Sequence, residues 1–443
     1  MRKNFLISFL LLIVSIPTFA GGLLTNTNQH AAFLRMLSRG ATTEIDGALS
    51  NPAGLAFLPN DGFHMALSIQ SAFQTRNIDA SCQDLGLNKY YEGKASAPVI
   101  PSVFAAYKSG DWTLSGFFDI TGGGGKASFD DGLPMFDAMV IGGLGAKGIP
   151  SNAYSLNSYM DGKQYIYSVQ LGLTYKATEW LSAFVGGRMN YFTGGYKGSL
   201  RASAAANLPL PTGATIPAGT ELIGIDLDCS QTGWGFTPVI GLDAKLGKFN
   251  IGAKYEFKTN LNIENSTKAN SLRMMGAAES ELDAYKHGVN TPNDIPSLLS
   301  VAVAYEFLPV LRASVEYHFY DDKNAGMAEG KQKFLTKGTN EYLAGIEWDV
   351  TKRLTVSCGA QITDYGLSDN FQRDTSFSCD SYTLGLGAKL KLSERANLNV
   401  GYMWTNYDDY TMTTDNYNAT GLGGTNVYSR TNKVFGLSLD YRF

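Results

Sequence analysis

The last eleven residues of the chain, 433–443, constrain its fold more than any other segment. They read K-V-F-G-L-S-L-D-Y-R-F, so apolar side chains alternate with polar or small ones up to a terminal aromatic residue. In a β-strand this period of two places the apolar side chains on one face and the polar ones on the other. Such a terminal strand is typical of one that closes an outer-membrane β-barrel.

The opposite end of the chain has the pattern of an export signal. Two basic residues at positions 2 and 3 precede an apolar core over 5–16, and a small-residue cleavage site ends at Ala20. The apolar core is too short to span a bilayer as a helix. We therefore predict a signal peptide over residues 1–20, and the alternative is a buried N-terminal helix.

The composition favours a membrane barrel and argues against nucleic-acid binding. The 443 residues include 24 Tyr, 24 Phe and 49 Gly, which supply girdle and turn residues, and no run of eighteen apolar residues predicts a transmembrane helix. Only 17% of the residues are charged and the net charge is −4, whereas nucleic-acid binding needs a basic face. We expect no nucleic-acid partner.

Six strand–turn–strand units occupy most of the chain. Each joins two alternating segments across a turn of a few residues, and they lie near 98–120, 165–191, 233–263, 297–321, 340–365 and 381–407. Strands at 63–73 and 433–443 raise the count to fourteen. The links between units are much longer, over roughly 120–164, 197–232, 263–296 and 366–380. Short turns on the periplasmic side and long loops outside are the asymmetry of an outer-membrane barrel. We therefore predict an all-β fold, a fourteen-stranded antiparallel transmembrane β-barrel over residues 61–443.

The tryptophans support this count. Trp112, Trp180 and Trp348 lie beside predicted periplasmic turns, whereas Trp234 and Trp404 lie at predicted outer strand ends. Indole favours the membrane–water interface, so this placement predicts two aromatic girdles.

Residues 21–60 precede the first strand and do not alternate. An amphipathic stretch at 31–37 is followed by a turn-rich stretch that contains Asn51-Pro52-Ala53. The lumen of a fourteen-stranded barrel is wider than side chains alone can fill. We therefore predict that 21–60 folds into the barrel as a plug, and the alternative is a periplasmic arm that binds another protein.

The stretch D-G-A-L-S-N-P-A-G-L-A-F-L-P, with Asn51, Pro52 and Ala53 at its centre, resembles the hatch motif of the FadL-type outer-membrane transporters of long-chain fatty acids and hydrophobic compounds. The fourteen predicted strands and the terminal Phe443 are also similar to that family. In the family a hatch closes the lumen, and an inward kink of the third strand opens a gap through which hydrophobic solutes leave sideways into the membrane. The resemblance implies passive uptake of such solutes in the outer membrane of a Gram-negative bacterium.

The corresponding part of the third strand ends in consecutive glycines. Four consecutive glycines, Gly122, Gly123, Gly124 and Gly125, begin four residues after Phe118. Glycine weakens the hydrogen-bonded pairing of strands and lets the backbone leave the wall. The resemblance places the lateral gap at these five residues. The alternative is a flexible start of a surface loop.

The loop predicted after this strand is apolar over 133–141. Exposed apolar patches usually mark binding surfaces, and methionine adapts to varied contacts. By the resemblance, outer loops first capture the solute, and the predicted capture patch comprises Met135, Phe136, Met139, Val140 and Ile141. The alternative is a helix packed on the barrel rim.

Charged side chains of both signs fall on the lumen phase of the strands. These are Arg188, Lys254, Glu256, Arg312, Glu316, Lys389, Lys391, Asp440 and Arg442, with His318 beside Glu316. We predict that they pair with one another and anchor the plug, while the alternative is that Arg188 or Arg312 meets a solute carboxylate. The predicted ligand-binding residues of the hatch and lumen are Phe33, Leu34, Leu37, Leu55, Phe57, Arg188 and Arg312.

No motif predicts catalysis, a metal site or a cofactor. The glycine run is not followed by Lys-Ser/Thr as a phosphate loop requires, and neither H-E-x-x-H nor G-x-S-x-G occurs. The sequence leaves open whether a disulfide joins two of Cys82, Cys229 and Cys379, whereas Cys358 is predicted to be a wall residue. We expect a monomer in contact with outer-membrane lipids and lipopolysaccharide. A general porin and a surface adhesin are the rival functions.

Overall fold

A computed structural model describes residues 25–209 and 215–443. The predicted signal peptide, 1–20, and the first four residues of the predicted plug lie outside the described residues. The described chain forms one closed antiparallel β-sheet with short helical segments before it and between its strands. None of the described helices combines the length and apolar character that crossing a bilayer requires.

Fourteen strands make the wall, as the sequence predicts. They are β1 (Gly62–Cys82), β2 (Leu87–Ser109), β3 (Trp112–Phe129), β4 (Tyr154–Lys176), β5 (Leu181–Ala204), β6 (Glu221–Leu246), β7 (Phe249–Glu256), β8 (Leu298–Leu308), β9 (Leu311–Tyr320), β10 (Thr339–Asp349), β11 (Leu354–Asp364), β12 (Ser381–Lys391), β13 (Ala396–Tyr407) and β14 (Gly424–Arg442). Successive strands pair antiparallel, and β1 pairs with β14 from His64–Arg442 to Ser81–Thr425, which closes the cylinder.

Shorter strands extend the wall on its outer side. Asn262–Met274 continues β7 and pairs with β6, and Asn290–Pro292 pairs with that continuation. Tyr410–Thr414 pairs with β14. Leu208–Pro209 pairs with Thr215–Ile216 in a small separate hairpin.

All six predicted hairpin turns are confirmed. The turn between β2 and β3 contains only Gly110 and Asp111, and the turn between β6 and β7 contains only Gly247 and Lys248. Gly110 and Gly247 have φ of 56° and 62°, the left-handed region that tight hairpin turns demand and glycine adopts without strain.

The predicted lengths of the outer loops are wrong. β3 continues to Phe129 and β4 begins at Tyr154, so about half of the predicted loop 120–164 is strand. Only residues 83–86 separate β1 from β2. On these extensions the outward positions carry polar side chains such as Lys94 and Lys126, so the apolar alternation ends although the hydrogen-bonded ladder continues.

The N-terminal segment lies inside the barrel. It consists of α1 (Ala31–Arg35), α2 (Gly47–Ser50) and a 3₁₀ turn over Pro52–Phe57. α1 contacts β11–β14 and β1, whereas α2 and the 3₁₀ turn contact β2–β7. These contacts reach eleven of the fourteen strands, and Ser38, after α1, bonds to Ser314 of β9. The segment therefore fills the lumen.

Glycines on the lumen face of β12 and β13 let α1 approach the wall. A Cβ atom on Gly401 would lie 2.6 Å from the Leu34 Cβ, and one on Gly385 would lie 2.4 Å from the Leu34 carbonyl oxygen. The backbone of α1 is therefore packed against bare backbone of the wall.

One longer helix, α3 (Pro134–Gly145), lies between β3 and β4, and proline at its first position suits a helix start. Single 3₁₀ turns occupy other links, at Gln83–Leu85, Ser151–Ala153, Asp283–Tyr285, Asp322–Asn324, Ala328–Phe334 and Tyr417–Ala419. All four cysteines are free, so no disulfide joins Cys82, Cys229 or Cys379, and Cys358 is an exposed residue of the β11 wall.

Candidate functional site

Buried ion pairs fasten the first part of the N-terminal segment to the wall. Arg35 is fully buried, pairs with Glu347 and donates from Nε to the Asn399 Oδ1 at 3.0 Å. Arg39 donates to both carboxylate oxygens of Asp46, at 2.7 and 2.8 Å. Buried guanidinium groups require such partners, so the Arg35 contacts hold α1 against the wall, while the Arg39–Asp46 pair joins two parts of the segment itself.

The Asn51-Pro52-Ala53 motif bonds to three consecutive wall strands. The Asn51 amide donates to the Asp243 Oδ2 of β6 at 2.5 Å and to a carbonyl within the segment. The Pro52 carbonyl accepts a bond from Thr174 of β4 at 2.8 Å, and the Ala53 carbonyl accepts one from Ser182 of β5 at 2.7 Å. The motif therefore anchors the segment to the wall.

The predicted pairing of lumen charges is confirmed for both arginines. Arg188 donates to Glu256 at 2.8 and 2.9 Å, and Arg312 donates to Asp349 at 2.8 and 3.0 Å. His318 lies 2.6 Å from Glu316, as predicted. Neither arginine lines the cavity behind the wall gap described below.

The five apolar residues predicted to share one lumen pocket do not meet there. Phe33 and Leu37 line a small lumen cavity of about 70 Å³, while Leu34 lines a different one. Leu55 is fully buried in an apolar cluster, and Phe57 ends the 3₁₀ turn and is partly exposed. The single pocket is wrong because the segment is not one amphipathic helix: α1 and the 3₁₀ turn contact different strands of the barrel.

The wall is interrupted between β2 and β3. The two strands pair at Ser96–Lys126 and again at Val103–Phe118, but residues 97–102 and 119–125 have no partner across this seam. The register between β3 and β4 also shifts in this region. We call this interruption the wall gap. It lies within β3, so the alternative of a flexible loop start at the glycines is wrong.

Two glycines permit the backbone path at the gap. Gly123 has φ of 104° and Gly125 has φ of 71°, which side-chain-bearing residues rarely adopt. A Cβ atom on Gly123 would also lie 2.4 Å from the Gln164 carbonyl oxygen, and one on Gly125 would lie 2.8 Å from the Ser96 carbonyl oxygen. Phe118, the last paired residue before the gap, is exposed on the outer face of the wall.

A cavity of about 110 Å³ lies directly behind the gap, and we call it the inner cavity. Its lining comes from the gap (Ala97, Ile100, Ile120, Gly123 and Gly125), from the N-terminal segment (25–29 and Leu34) and from the seam between β1 and β14 (Ala72, Gln74, Arg76, Arg430, Asn432 and Val434). The gap, the N-terminal segment and a cationic end therefore meet in one space.

The predicted exposed capture patch is wrong. Its residues belong to α3, where Val140 is fully buried and Ile141 packs against a second apolar cluster. The alternative, a helix packed on the rim, is confirmed. Because α3 is apolar around its circumference, the outer strand extensions cover more than one of its faces.

Three patch residues nevertheless line a larger cavity, of about 650 Å³, which we call the outer cavity. Met135, Phe136 and Met139 form part of its wall. The other apolar lining residues come from the outer extensions of the strands and from nearby links: Met160, Leu200, Ile225, Leu227, Leu282, Tyr285, Met412 and Tyr428. This volume suits a small hydrophobic molecule.

An aromatic pair stands between the two cavities. Phe377 lines the inner cavity, Tyr428 lines the outer cavity, and their rings stack at 4.6 Å between centroids. Arg76 also contacts Phe377. Its Cζ lies 4.8 Å from the centroid of the Phe377 ring, and its guanidinium donates a hydrogen bond to the Phe377 carbonyl oxygen at 3.0 Å. We call Phe377 and Tyr428 the partition.

A buried carboxylate fixes the partition to the outer loop. Asp374 accepts bonds from the Tyr428 hydroxyl at 3.0 Å and from the Met135 N–H at the start of α3 at 2.9 Å. Burial raises the pKa of the Asp374 carboxyl to about 6. The partition has no signal in the sequence because its members are far apart along the chain, on the 365–380 link and on the part of β14 that follows a loop.

Comparisons with known proteins agree with this architecture. Residues 274–443 match the outer membrane protein beta-barrel domain. A Pseudomonas aeruginosa FadL homologue superposes with a TM-score of 0.67 at 15% identity, covering 96% of this chain and 100% of that one. The fold is that of a FadL-type barrel. No curated protein sequence matches the chain.

Two toluene transporters share the FadL-type fold. TodX of P. putida gives a TM-score of 0.57 at 14% identity, covering 91% of this chain and 95% of its own. TbuX of Ralstonia pickettii gives 0.54 at 13% identity, covering 97% and 99%. At these identities the likeness concerns the fold.

Proposed function

We propose that this protein takes up hydrophobic small molecules across the outer membrane of a Gram-negative bacterium, without an energy source. The solute enters the outer cavity, passes the partition into the inner cavity and leaves sideways through the wall gap. The observation that carries this proposal is the gap itself, which opens the wall directly onto a cavity while the lumen below is filled. The FadL homologue and the toluene transporters support the hydrophobic class of solute.

A filled lumen with a side opening suits apolar cargo. Apolar surface gains about 25 cal/mol per Å² when it leaves water, so a hydrophobic solute favours the cavities and the membrane over an aqueous pore. Polar solutes have the reverse preference and would need a wet channel. The combination of a filled lumen and an opening in the side of the wall therefore favours hydrophobic molecules by their solvation free energy alone.

We propose that residues 21–60 act as a hatch whose movement admits the solute to the gap. Hatch residues 25–29 line the inner cavity. The Gln29 carbonyl accepts a bond from Ser102, in the unpaired part of β2, at 2.8 Å, and the Asn28 carbonyl accepts one from Gln70 at 2.8 Å. A shift of the hatch would release the edge of the gap. The anchor of the hatch at Asn51, Pro52 and Ala53 is the point about which the hatch would move.

Filling the gap tests the lateral exit. Ile100 and Ile120 line the inner cavity at the gap, and we expect Ile100→Trp and Ile120→Trp to reduce cellular uptake of labelled oleate or toluene to near that of cells lacking the protein. An indole is larger than the free space of about 110 Å³ can take without displacement of neighbours.

Leu171→Trp is the matched control, because Leu171 lies on the outward face of β4 with 64% of its surface exposed. Uptake through this variant should equal that of the unaltered protein, with equal amounts of folded barrel in the outer membrane. Unchanged uptake in both gap variants would rule out exit through the flank.

A further inference from the structure

A cleft opens at the end of the barrel that carries the short turns, which is the periplasmic end in outer-membrane barrels. Its volume is about 680 Å³, and we call it the periplasmic cleft. The turns after β8, β10 and β12 and the adjacent strand ends form its walls. Of the described residues of the hatch, only Glu44, between α1 and α2, lines it. A ligand in this cleft would therefore touch the wall and the hatch together.

Positive charge exceeds negative charge in the periplasmic cleft. The lining bases are Arg312, Lys352, Arg353, Lys389 and Lys391, and the lining acids are Glu44, Asp349 and Glu394. Each of the three acids pairs with a lining base. Lys352 and Arg353 are exposed on the turn after β10, and no carboxylate of the described residues forms an ion pair with either of them. Charge complementarity therefore favours an acidic ligand.

Glu44 is the link between this cleft and the hatch. Its carboxylate accepts a hydrogen bond from Arg39 of the hatch at 2.9 Å and another from Lys389 of β12. The pair of Glu44 and Lys389 thus joins the hatch to the wall. The two side chains keep 37% and 17% of their surface exposed, so a ligand in the cleft can reach the pair.

We propose that the periplasmic cleft binds an acidic, extended segment of a periplasmic protein, whose carboxylates displace Glu44 from Lys389 and loosen the hatch. This inference concerns the regulation of the proposed function and rests on the proposed hatch. The volume of the cleft is within the range of pockets that bind molecules of drug size, so it holds a short stretch of peptide.

Several carboxylates on one chain suit this exchange better than a single small anion does. Carboxylates that pair with Lys352 and Arg353 hold the next carboxylate of the same chain near Lys389 at a high effective concentration. The exchange itself costs little free energy, because Lys389 keeps a carboxylate partner and Glu44 keeps Arg39. No buried charge is left without a partner.

Peptide binding to the full-length protein in lipid nanodiscs tests the site. The probes are a blocked octapeptide of alternating glutamate and serine, the same peptide with glutamine in place of glutamate, and inorganic phosphate. We expect the glutamate peptide to bind at least about tenfold more tightly than either of the others, because several exposed charge pairs together reach one decade in affinity. Added salt should reduce this preference.

Lys352→Gln combined with Arg353→Gln should lower the affinity for the glutamate peptide to that for the glutamine peptide. Lys248→Gln is the matched control, because Lys248 lies on the turn between β6 and β7 at the same end of the barrel and does not line the cleft. Its affinity for the glutamate peptide should equal that of the unaltered protein.

Channel openings in planar bilayers test the displacement of Glu44. The glutamate peptide, added on the short-turn side, should produce brief openings, and the glutamine peptide should not. Glu44→Gln should show such openings without peptide, and the glutamate peptide should not increase them, because the bond that it breaks is already lost. Resistance of the wall to trypsin shows that this variant has formed a barrel.

Equal binding of the two peptides would overturn the proposal, and so would full binding of the glutamate peptide by the Lys352 and Arg353 double variant. Phosphate that binds as tightly as the peptide would assign the cleft to a small anion instead of a protein. Peptide binding without openings would refute the displacement of Glu44. If the peptide does not bind while the gap variants still block uptake, the proposed function stands and only its regulation at the cleft is wrong.

Discussion

Removal of residues 25–58 will turn a closed barrel into a channel with a large, steady ion conductance. The intact protein should show no such current in planar lipid bilayers, because α1, α2 and the 3₁₀ turn contact eleven of the fourteen strands of the wall. Without them, a fourteen-stranded barrel is too wide for its own side chains to fill. The expected effect is the largest available from this structure, a change from a sealed to an open lumen.

The bilayer experiment also separates the proposed function from that of a general porin. Both proteins are refolded by the same protocol, and resistance of the wall to trypsin shows that the shortened barrel has formed. A large steady current from the intact protein would contradict the transporter proposal, because a permanently wet bore would then exist beside the hatch.

Glu347→Ala should lower the unfolding free energy by about 3–5 kcal/mol, since it leaves buried charge uncompensated. Glu347 pairs with Arg35, which is fully buried, and accepts from the Arg312 Nε at 3.2 Å. Denaturant unfolding in lipid vesicles gives the free energy. Brief channel openings in bilayers would report that α1 has loosened from the wall.

The control for this prediction is Glu394→Ala. Glu394 pairs with Lys391 at 2.8 Å in an exposed turn, where water and salt screen the charges, so its loss should leave the unfolding free energy nearly unchanged. Replacing Arg35 by Met together with Glu347→Ala should recover much of the loss, because neither charge then remains buried. Equal losses in the Glu347 and Glu394 variants would show that burial of the Arg35 pair does not hold the hatch.

The parts of the fold that the sequence predicts are those governed by local physics. The hairpin turns at Gly110 and Gly247 combine a glycine with alternating strands on both sides, so their positions follow from neighbouring residues. The outer ends of the strands cannot be predicted in this way, because beyond the lipid both faces of a strand can be polar and the alternation disappears. β3 therefore continues nine residues past Ile120 without a signal that marks it as wall.

The candidate site likewise has a part that the sequence indicates and a part that only the folded barrel reveals. The run from Gly122 to Gly125 indicates a break in the ladder before the structure is known, and the resemblance assigns it to a gap. The partners of Asn51 and the stacking of Phe377 on Tyr428 are different, since they join residues from distant strands that only the closed barrel brings together. The cationic end of the inner cavity likewise needs the β1–β14 closure, which places Arg76 beside Arg430.

Under the proposed function, the strand extensions determine where a solute first binds. On β6, Trp234 belongs to the predicted outer girdle, and Ile225, nine residues further out, lines the outer cavity. At about 3.3 Å per residue and a tilt of about 40°, that cavity stands about 20 Å above the edge of the hydrocarbon. Its mouth therefore lies well beyond the predicted outer girdle, so under the proposed function a solute would enter the protein directly from the surrounding water before it reaches the depth of the membrane.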